Sequence, residues 1–338
     1  MHTSTFLTAL GLSCAWLAGC SGHNVDLDRA DAAATDTSGR IDAVILQHAN
    51  DPIASRLVVD DARLYWSTWG GNVQSCLKTE CANTVLTYAS KASTAEPATS
   101  PRVSASAGRV FWRSTAPNDT IFSCPIAGCT SSPTKIFRDS KAVHGLTSDA
   151  DYAYWASDID LYRCKSSGCG PTPELVALGQ VQSPVVSGQN AYWLTFEAGG
   201  GSIQSAPKDG AAPASVLVPA EADAMSFTVN GDTLFWQNRD YQILSCTLPD
   251  CSGDPTLVID NTASYKNDLT ADDTRVYWRT DKNLVQSCEL SGCTEPMTVS
   301  TDQAQSFTVD SDFIYWADLD ARYPYVGLNV HRLAKSAL

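Results

Sequence analysis

A short pattern repeated along the chain constrains its fold more than any other feature. An aliphatic residue or Ala, then Tyr or Phe, then Trp, occurs seven times: Leu64-Tyr65-Trp66, Val110-Phe111-Trp112, Ala153-Tyr154-Trp155, Ala191-Tyr192-Trp193, Leu234-Phe235-Trp236, Val276-Tyr277-Trp278 and Ile314-Tyr315-Trp316. Successive tryptophans lie 46, 43, 38, 43, 42 and 38 residues apart. That period suits one four-stranded propeller blade and is too long for a leucine-rich repeat. Adjacent residues of a strand project to opposite faces, so a strand carrying Tyr beside Trp must be covered on both sides, as a blade between two neighbours is. The tryptophans therefore read as packing groups rather than as a stacking platform for ligand rings.

Each period divides into four β-prone runs. In the sixth these are Asp268 to Ala271, Arg275 to Arg279 after the turn Asp272-Asp273-Thr274, Leu284 to Cys288, and Pro296 to Ser300. No segment beyond the first residues shows apolar groups at helical spacing, so the class is all-β. The ends of the pattern complement each other. The last residues, Asn329 to Leu338, align with Asn72 to Cys81 and then stop, which leaves the seventh repeat without its fourth strand. Ahead of the first repeat, Ile41-Asp42-Ala43-Val44-Ile45-Leu46-Gln47 resembles the fourth-strand runs Thr256 to Asp260 and Glu174 to Leu178. The sequence thus predicts a seven-bladed β-propeller of four-stranded antiparallel blades over residues 41–338, closed by an N-terminal strand that completes the last blade. Closure removes the two exposed sheet edges an open array would leave.

The Tyr-Trp strand resembles the repeats of the YWTD propellers of low-density lipoprotein receptors and of bacterial proteins with similar repeats. The Thr-Asp half of that motif is mostly replaced here, by Ser67-Thr68, Arg113-Ser114, Ala156-Ser157, Leu194-Thr195, Gln237-Asn238, Arg279-Thr280 and Ala317-Asp318. The family also has six blades where seven are counted. The resemblance implies an architecture and no functional residue.

Cysteine usage points to an oxidising compartment. Of twelve cysteines, ten fall into five pairs of one spacing: Cys76 and Cys81, Cys124 and Cys129, Cys164 and Cys169, Cys246 and Cys251, Cys288 and Cys293. Each pair flanks the turn between third and fourth runs, where a hairpin brings both positions within disulfide reach. The fourth repeat has Ala206 and Ala211 at both positions at once. The remaining two, Cys14 and Cys20, belong to a leader. Residues 1–19 contain no Asp, Glu, Lys or Arg, and the run Phe6 to Gly19 is apolar or small and too short to span a bilayer, as in a signal peptide. It ends Leu17-Ala18-Gly19-Cys20, which resembles the lipobox of bacterial lipoproteins and implies lipid attachment at Cys20. Residues 20–40, rich in Asp, Ala and Thr, then read as a flexible acidic tether. With Ser21 rather than Asp after Cys20, the outer membrane is the expected destination.

The formal net charge of -14 argues against a nucleic-acid partner. The Cys pairs sit on separate blades, and His23, His48, His144 and His331 lack metal-binding spacing, so no metal site is expected. No nucleophile elbow, phosphate loop or dinucleotide fingerprint occurs, and no cofactor is expected. Gly199-Gly200-Gly201 reads as a flexible turn; Asp158-Ile159-Asp160, Asp272-Asp273 and Asp318-Leu319-Asp320 read as solvated turns rather than calcium loops.

In a propeller, the loops from second to third strand and from fourth strand to the next blade share one face. Here they vary most in length, while the turns from first to second strand are uniformly short, which points to the variable face for binding. The candidate residues are Trp69, Arg113, Asp158, Glu197, Arg239, Asp240, Arg279, Asp281, Asp320, Arg322 and Tyr323. The expected function is a membrane-anchored, monomeric binding or scaffold module with a protein or glycan partner. The alternatives are an enzyme with an axial site, such as a hydrolase or lyase, and an envelope-assembly lipoprotein.

Overall fold

The computed structural model describes residues 56–68, 70–89, 102–114, 119–129, 132–260, 268–300, 303–320 and 327–338, side chains of 319, 320 and 327 excepted, and the backbone of two N-terminal strands. Seven antiparallel sheets are present, six of four strands and one of five. Blade 3 shows the pattern: Val143–Ser148 pairs with Tyr152–Ser157, that with Asp160–Lys165, and that with Glu174–Ala177. The sixth repeat forms Leu269–Ala271, Arg275–Arg279, Val285–Glu289 and Met297–Thr298, within two residues of the runs read from sequence. First strands of successive blades touch all the way round, including blade 7 against blade 1. The molecule is a seven-bladed β-propeller.

Closure occurs as the sequence predicts. Ile41–His48 lies antiparallel to Gly327–Ala334, the third strand of blade 7, with Asp42 opposite Leu333 and His48 opposite Leu328. A two-residue strand, Ala34–Thr35, adds to its outer side, so the closing blade has five strands rather than four, and the stretch read as tether includes a paired segment. The backbone N–H of Leu57 in blade 1 donates to Ser306 Oγ of blade 7 at 2.7 Å, a second tie across the seam.

The core consists of seven clusters, one per interface between blades. The aromatic before each Trp faces the following blade and meets that blade's Trp: Tyr65 with Trp112, Phe111 with Trp155, and so on round to Tyr315 with Trp66. The seven tryptophans of the repeats are 0–2% exposed. The five cysteine pairs are disulfides with Cα–Cα separations of 4.7, 5.3, 5.1, 5.1 and 5.7 Å.

A second repeated device is polar. In four blades the turn from first to second strand opens with Asp60, Asp149, Asp272 or Asp310. One carboxylate oxygen accepts two backbone N–H groups of the turn, as Asp149 Oδ1 does from Asp151 and Tyr152. The other accepts the hydroxyl of the Tyr five residues on: Tyr65 at 2.6, Tyr154 at 2.8, Tyr277 at 2.8 and Tyr315 at 3.0 Å. In three cases a Lys of the next blade also donates to that oxygen: Lys208 to Asp149 at 2.8 Å, Lys78 to Asp310 at 2.7 Å, and Lys335 to Asp272. Burial alone would raise the Asp272 carboxyl. The Lys335 ammonium, the N–H and hydroxyl of Thr274 and the Tyr277 hydroxyl outweigh it and hold the group below the usual carboxylate range. Asp149 and Asp310 are lowered in the same way, and burial together with the carboxylate pushes the Tyr154, Tyr277 and Tyr315 hydroxyls up.

Two of the acidic turns therefore differ from the solvated picture. Asp272 is a half-buried bonding node. Asp318, 8% exposed, is drawn into the interface between blades 6 and 7, with Oδ2 3.0 Å from His331 Nε2. The imidazole stacks on Trp316, centroids 5.1 Å apart and planes 3° from parallel. Residue alternation accounts for this, because Asp318 stands two positions beyond Trp316 and so shares its face.

Candidate functional site

Antiparallel pairing fixes what each end of the ring displays. The turns from first to second strand, the disulfides and the Asp–Lys contacts lie on one face, called here the turn face. The connections from second to third strand and from each fourth strand to the next blade lie on the other, the loop face. On the turn face the connections between first and second strands span only two or three residues in every blade, as at 107–108 and 149–151.

On the loop face, three blades use the same turn. In blades 1, 5 and 6 the turn after the second strand opens with Thr68, Asn238 or Thr280, whose side chain accepts the backbone N–H of Asn72, Gln242 or Leu284. Gly71, Tyr241 and Asn283 supply the positive φ that this turn needs, at 83°, 64° and 61°. The variation seen in sequence is partly strand. In blade 4, Asn190–Glu197 pairs with Gly200–Pro207, and in blade 7, Phe313–Asp320 pairs with Gly327–Ala334, so two hairpins extend further than the rest. The glycine run at 199–201 belongs to the first. Rather than a loose turn, Gly201 is buried, donates its N–H to Asp223 Oδ1 at 3.3 Å, and leaves no space for a Cβ, which would lie 1.8 Å from the carbonyl oxygen of Ala224.

The candidate residues fall into three groups. Asp158, Glu197, Arg239, Asp240 and Asp281 are exposed on the loop face. Asp158 pairs with Lys141 at 3.0 Å, and Arg239 with Asp223 at 3.1 Å. Trp69, Arg322 and Tyr323 lie outside the described residues, as does the side chain of Asp320.

Arg113 and Arg279 do not lie free on the surface as the sequence reading had them. Arg113 is 6% exposed and the Arg279 side chain 15%. Each follows the Trp of its strand, so it turns towards the next blade, where its guanidinium donates to a backbone carbonyl at the start of the first strand: Arg113 to Val143 O and Arg279 to Ala304 O. Each also faces a carboxylate, Asp119 at 3.8 Å and Asp268 at 2.5 Å. These two arginines fasten blade to blade. Asp268 takes a second cation, Arg56 of blade 1, at 2.9 Å. Blades 1 and 6 are not neighbours, so that ion pair reaches past blade 7 on the loop face.

Among the described residues six large apolar side chains are exposed: Ile159, Leu175, Leu178, Val216, Tyr241 and Leu257. Leu175, Val216 and Leu257 lie on fourth strands at the rim. Ile159, Leu178 and Tyr241 are on loop-face connections, at 50%, 69% and 41% exposure. They stand beside Asp158, Asp240 and Arg239, a mixture of apolar tips and charge that sequence reasoning missed for Ile159, Leu178 and Tyr241.

Searched against models of known protein families, the chain matches none. No curated protein matches it by sequence. In fold it is similar to the WD40 β-propeller domain of Doa1, at TM-score 0.60 and 12% identity over 88% of this chain and 98% of that one. Virginiamycin B lyase from Staphylococcus aureus is similar at TM-score 0.59 and 14% identity, covering 84% of this chain and 94% of that one. BamB from Moraxella catarrhalis gives 0.53 and 12%, covering 87% and 93%. At such identities the likeness is one of fold alone, which does not by itself indicate function.

Proposed function

We propose that this chain is an exported, lipid-anchored binding or scaffold module that presents its loop face to a protein partner. The observation that supports this reading is the contrast between the two faces. The turn face is built of short turns tied down by disulfides and by Asp–Lys–Tyr contacts. The loop face carries Ile159, Leu178 and Tyr241 exposed among charged side chains, the mixture of apolar and aromatic anchors with a polar surround that marks protein contacts.

Anchoring rests on Cys20, which lies outside the described residues. The lipobox resemblance supports lipidation there, and Ser21 supports the outer membrane as destination. Cys20→Ser is expected to abolish incorporation of a palmitate analogue in growing cells; label retained by the variant would refute the anchor. For the face, the full-length protein is crosslinked in intact cells and its partners recovered. Ile159→Asp with Tyr241→Asp is expected to lower recovery of a crosslinked protein, and Asp61→Lys with Asp273→Lys on the turn face to leave it unchanged. Equal responses of the two faces would refute the assignment.

A further inference from the structure

The rim of the ring between blades 5 and 6 holds an open cleft of about 700 Å³. It lies between the fourth strand of blade 5, Thr256–Ile259, and the turn that joins the third and fourth strands of blade 6. Leu257, Ile259, Met297 and Leu338 give it apolar walls, and Leu257 is 48% exposed. A second cleft of about 450 Å³ adjoins it: Thr256 and Leu290 line the second, their chain neighbours Leu257 and Glu289 the first. The charged groups around the two are mostly acidic. Asp260, Glu289 and Glu295 border the first cleft and Asp250 and Asp254 the second, against one guanidinium, Arg275. Arg275 is already engaged, by Glu289 at 3.6 Å and by Ser287 Oγ at 3.2 Å. Lys335, close to Leu338 in sequence, is spent on Asp272. Asp260 and Glu295 are exposed, and Asp260 Oδ1 accepts from the neutral amide of Gln242 at 2.7 Å.

Leu175 holds the same place on blade 3, since it and Leu257 each stand opposite the third-strand residue that pairs with the Trp. There the adjacent Glu174 is matched by Arg163 at 2.7 Å. Apolar walls under an unmatched acidic border select an apolar side chain carried between cations. The strand Thr256–Ile259 is the last of its sheet, and on the closing blade the corresponding edge takes up Ala34–Thr35, so a fourth-strand edge of this fold can pair with an extended segment. We propose that the cleft between blades 5 and 6 is a second docking place, which receives an extended basic segment of a protein partner. An aliphatic side chain of that segment sits against Leu257, Met297 and Leu338, and its lysines or arginines face Asp260 and Glu295. Ile159, Leu178 and Tyr241, which support the loop-face reading, do not line the cleft, so this inference stands apart from that one.

The test is fluorescence anisotropy of a short labelled peptide of alternating lysine and leucine with the full-length protein, at low and at physiological salt. Wild-type protein is expected to bind it saturably, more weakly as salt rises. Peptides with glutamate in place of lysine, or serine in place of leucine, are expected to bind at least about tenfold more weakly. Leu257→Ser is expected to weaken binding about fivefold, through loss of part of one aliphatic contact. Asp260→Asn with Glu295→Gln is expected to weaken it at low salt and to flatten the salt dependence. All these side chains are exposed, so the thermal midpoints should stay at the wild-type value. Leu175→Ser on blade 3 is expected to bind like wild type. No binding by wild type, equal affinity of wild type and Leu257→Ser, or equal weakening by Leu175→Ser overturns the cleft. Equal binding of the glutamate or the serine peptide overturns its occupant. Ile159→Asp with Tyr241→Asp is expected to leave peptide binding unchanged; weakening by that pair would place the peptide on the loop face and overturn the rim site, while the loop-face reading would stand.

Discussion

Asp272→Asn would test the polar ties between blades directly. The substitution keeps Oδ1, which accepts from the N–H and hydroxyl of Thr274 and the N–H of Arg275. It replaces Oδ2, the acceptor for Tyr277 and Lys335, with an amino group. The tyrosine hydroxyl can turn and accept; an ammonium cannot. Lys335 is then left 14% exposed with its carboxylate gone. A hydrogen bond to a charged group contributes about 1.5–3 kcal/mol, and Lys335 keeps the carbonyl oxygen of Asp310 as an acceptor, so unfolding by urea at pH 7 should show a deficit of about 1.5–3 kcal/mol. The sign with pH follows from the depressed carboxyl of Asp272. Its contribution is complete above the unfolded value, about 4, and is lost as pH falls through the folded one. At pH 3 the gap between the two proteins should therefore be narrower by about 1 kcal/mol, the other carboxylates cancelling because both proteins have them. A gap under about 0.5 kcal/mol at pH 7, within the range of ordinary surface substitutions, would refute the reasoning. So would a gap of equal size at both pH values.

Three other outcomes follow from the packing. Trp236→Ala empties a site that is 1% exposed, and should cost about 3–5 kcal/mol by thermal or urea unfolding; an unchanged midpoint would place that ring outside the core. Gly201→Ala drives a methyl group into the Ala224 carbonyl, and a loss of about 1–3 kcal/mol is expected from such overpacking; stability equal to wild type would mean that the hairpin of blade 4 moves freely. Deleting residues 41–47 uncovers the strand Gly327–Ala334, so the midpoint should fall and light scattering should rise from the exposed edge; a deletion as stable as the parent would refute closure through blade 7.

The fold was legible in the sequence because its strongest demand, apolar cover on both faces of each second strand, leaves Tyr-Trp in almost every repeat. The polar ties were legible too, though only after the fact. Asp stands five residues before Tyr65, Tyr154, Tyr277 and Tyr315, whereas Ser106, Ser187 and Asn230 stand five before Phe111, Tyr192 and Phe235. Lys78, Lys208 and Lys335 occur only where the preceding blade supplies such an Asp, a link between repeats that comparison of one repeat with the next does not expose. Arg113 and Arg279 were misread as loop charges. Period-two alternation after a buried Trp would have turned both towards the neighbouring blade.

The pairing of Ile41–His48 with Gly327–Ala334 also sets a timetable. A chain is made from its amino end, so the closing strand is among the first segments of the propeller to appear and must wait for nearly the last. Contacts this distant in sequence form late and slowly. Lys335, which ties blade 7 to Asp272, follows that late strand directly. An unfinished chain can therefore build blades but has no means of sealing them. A premature stop anywhere upstream of Gly327 would yield an open stack with a bare edge, prone to aggregation and proteolysis, rather than a smaller working version of the protein.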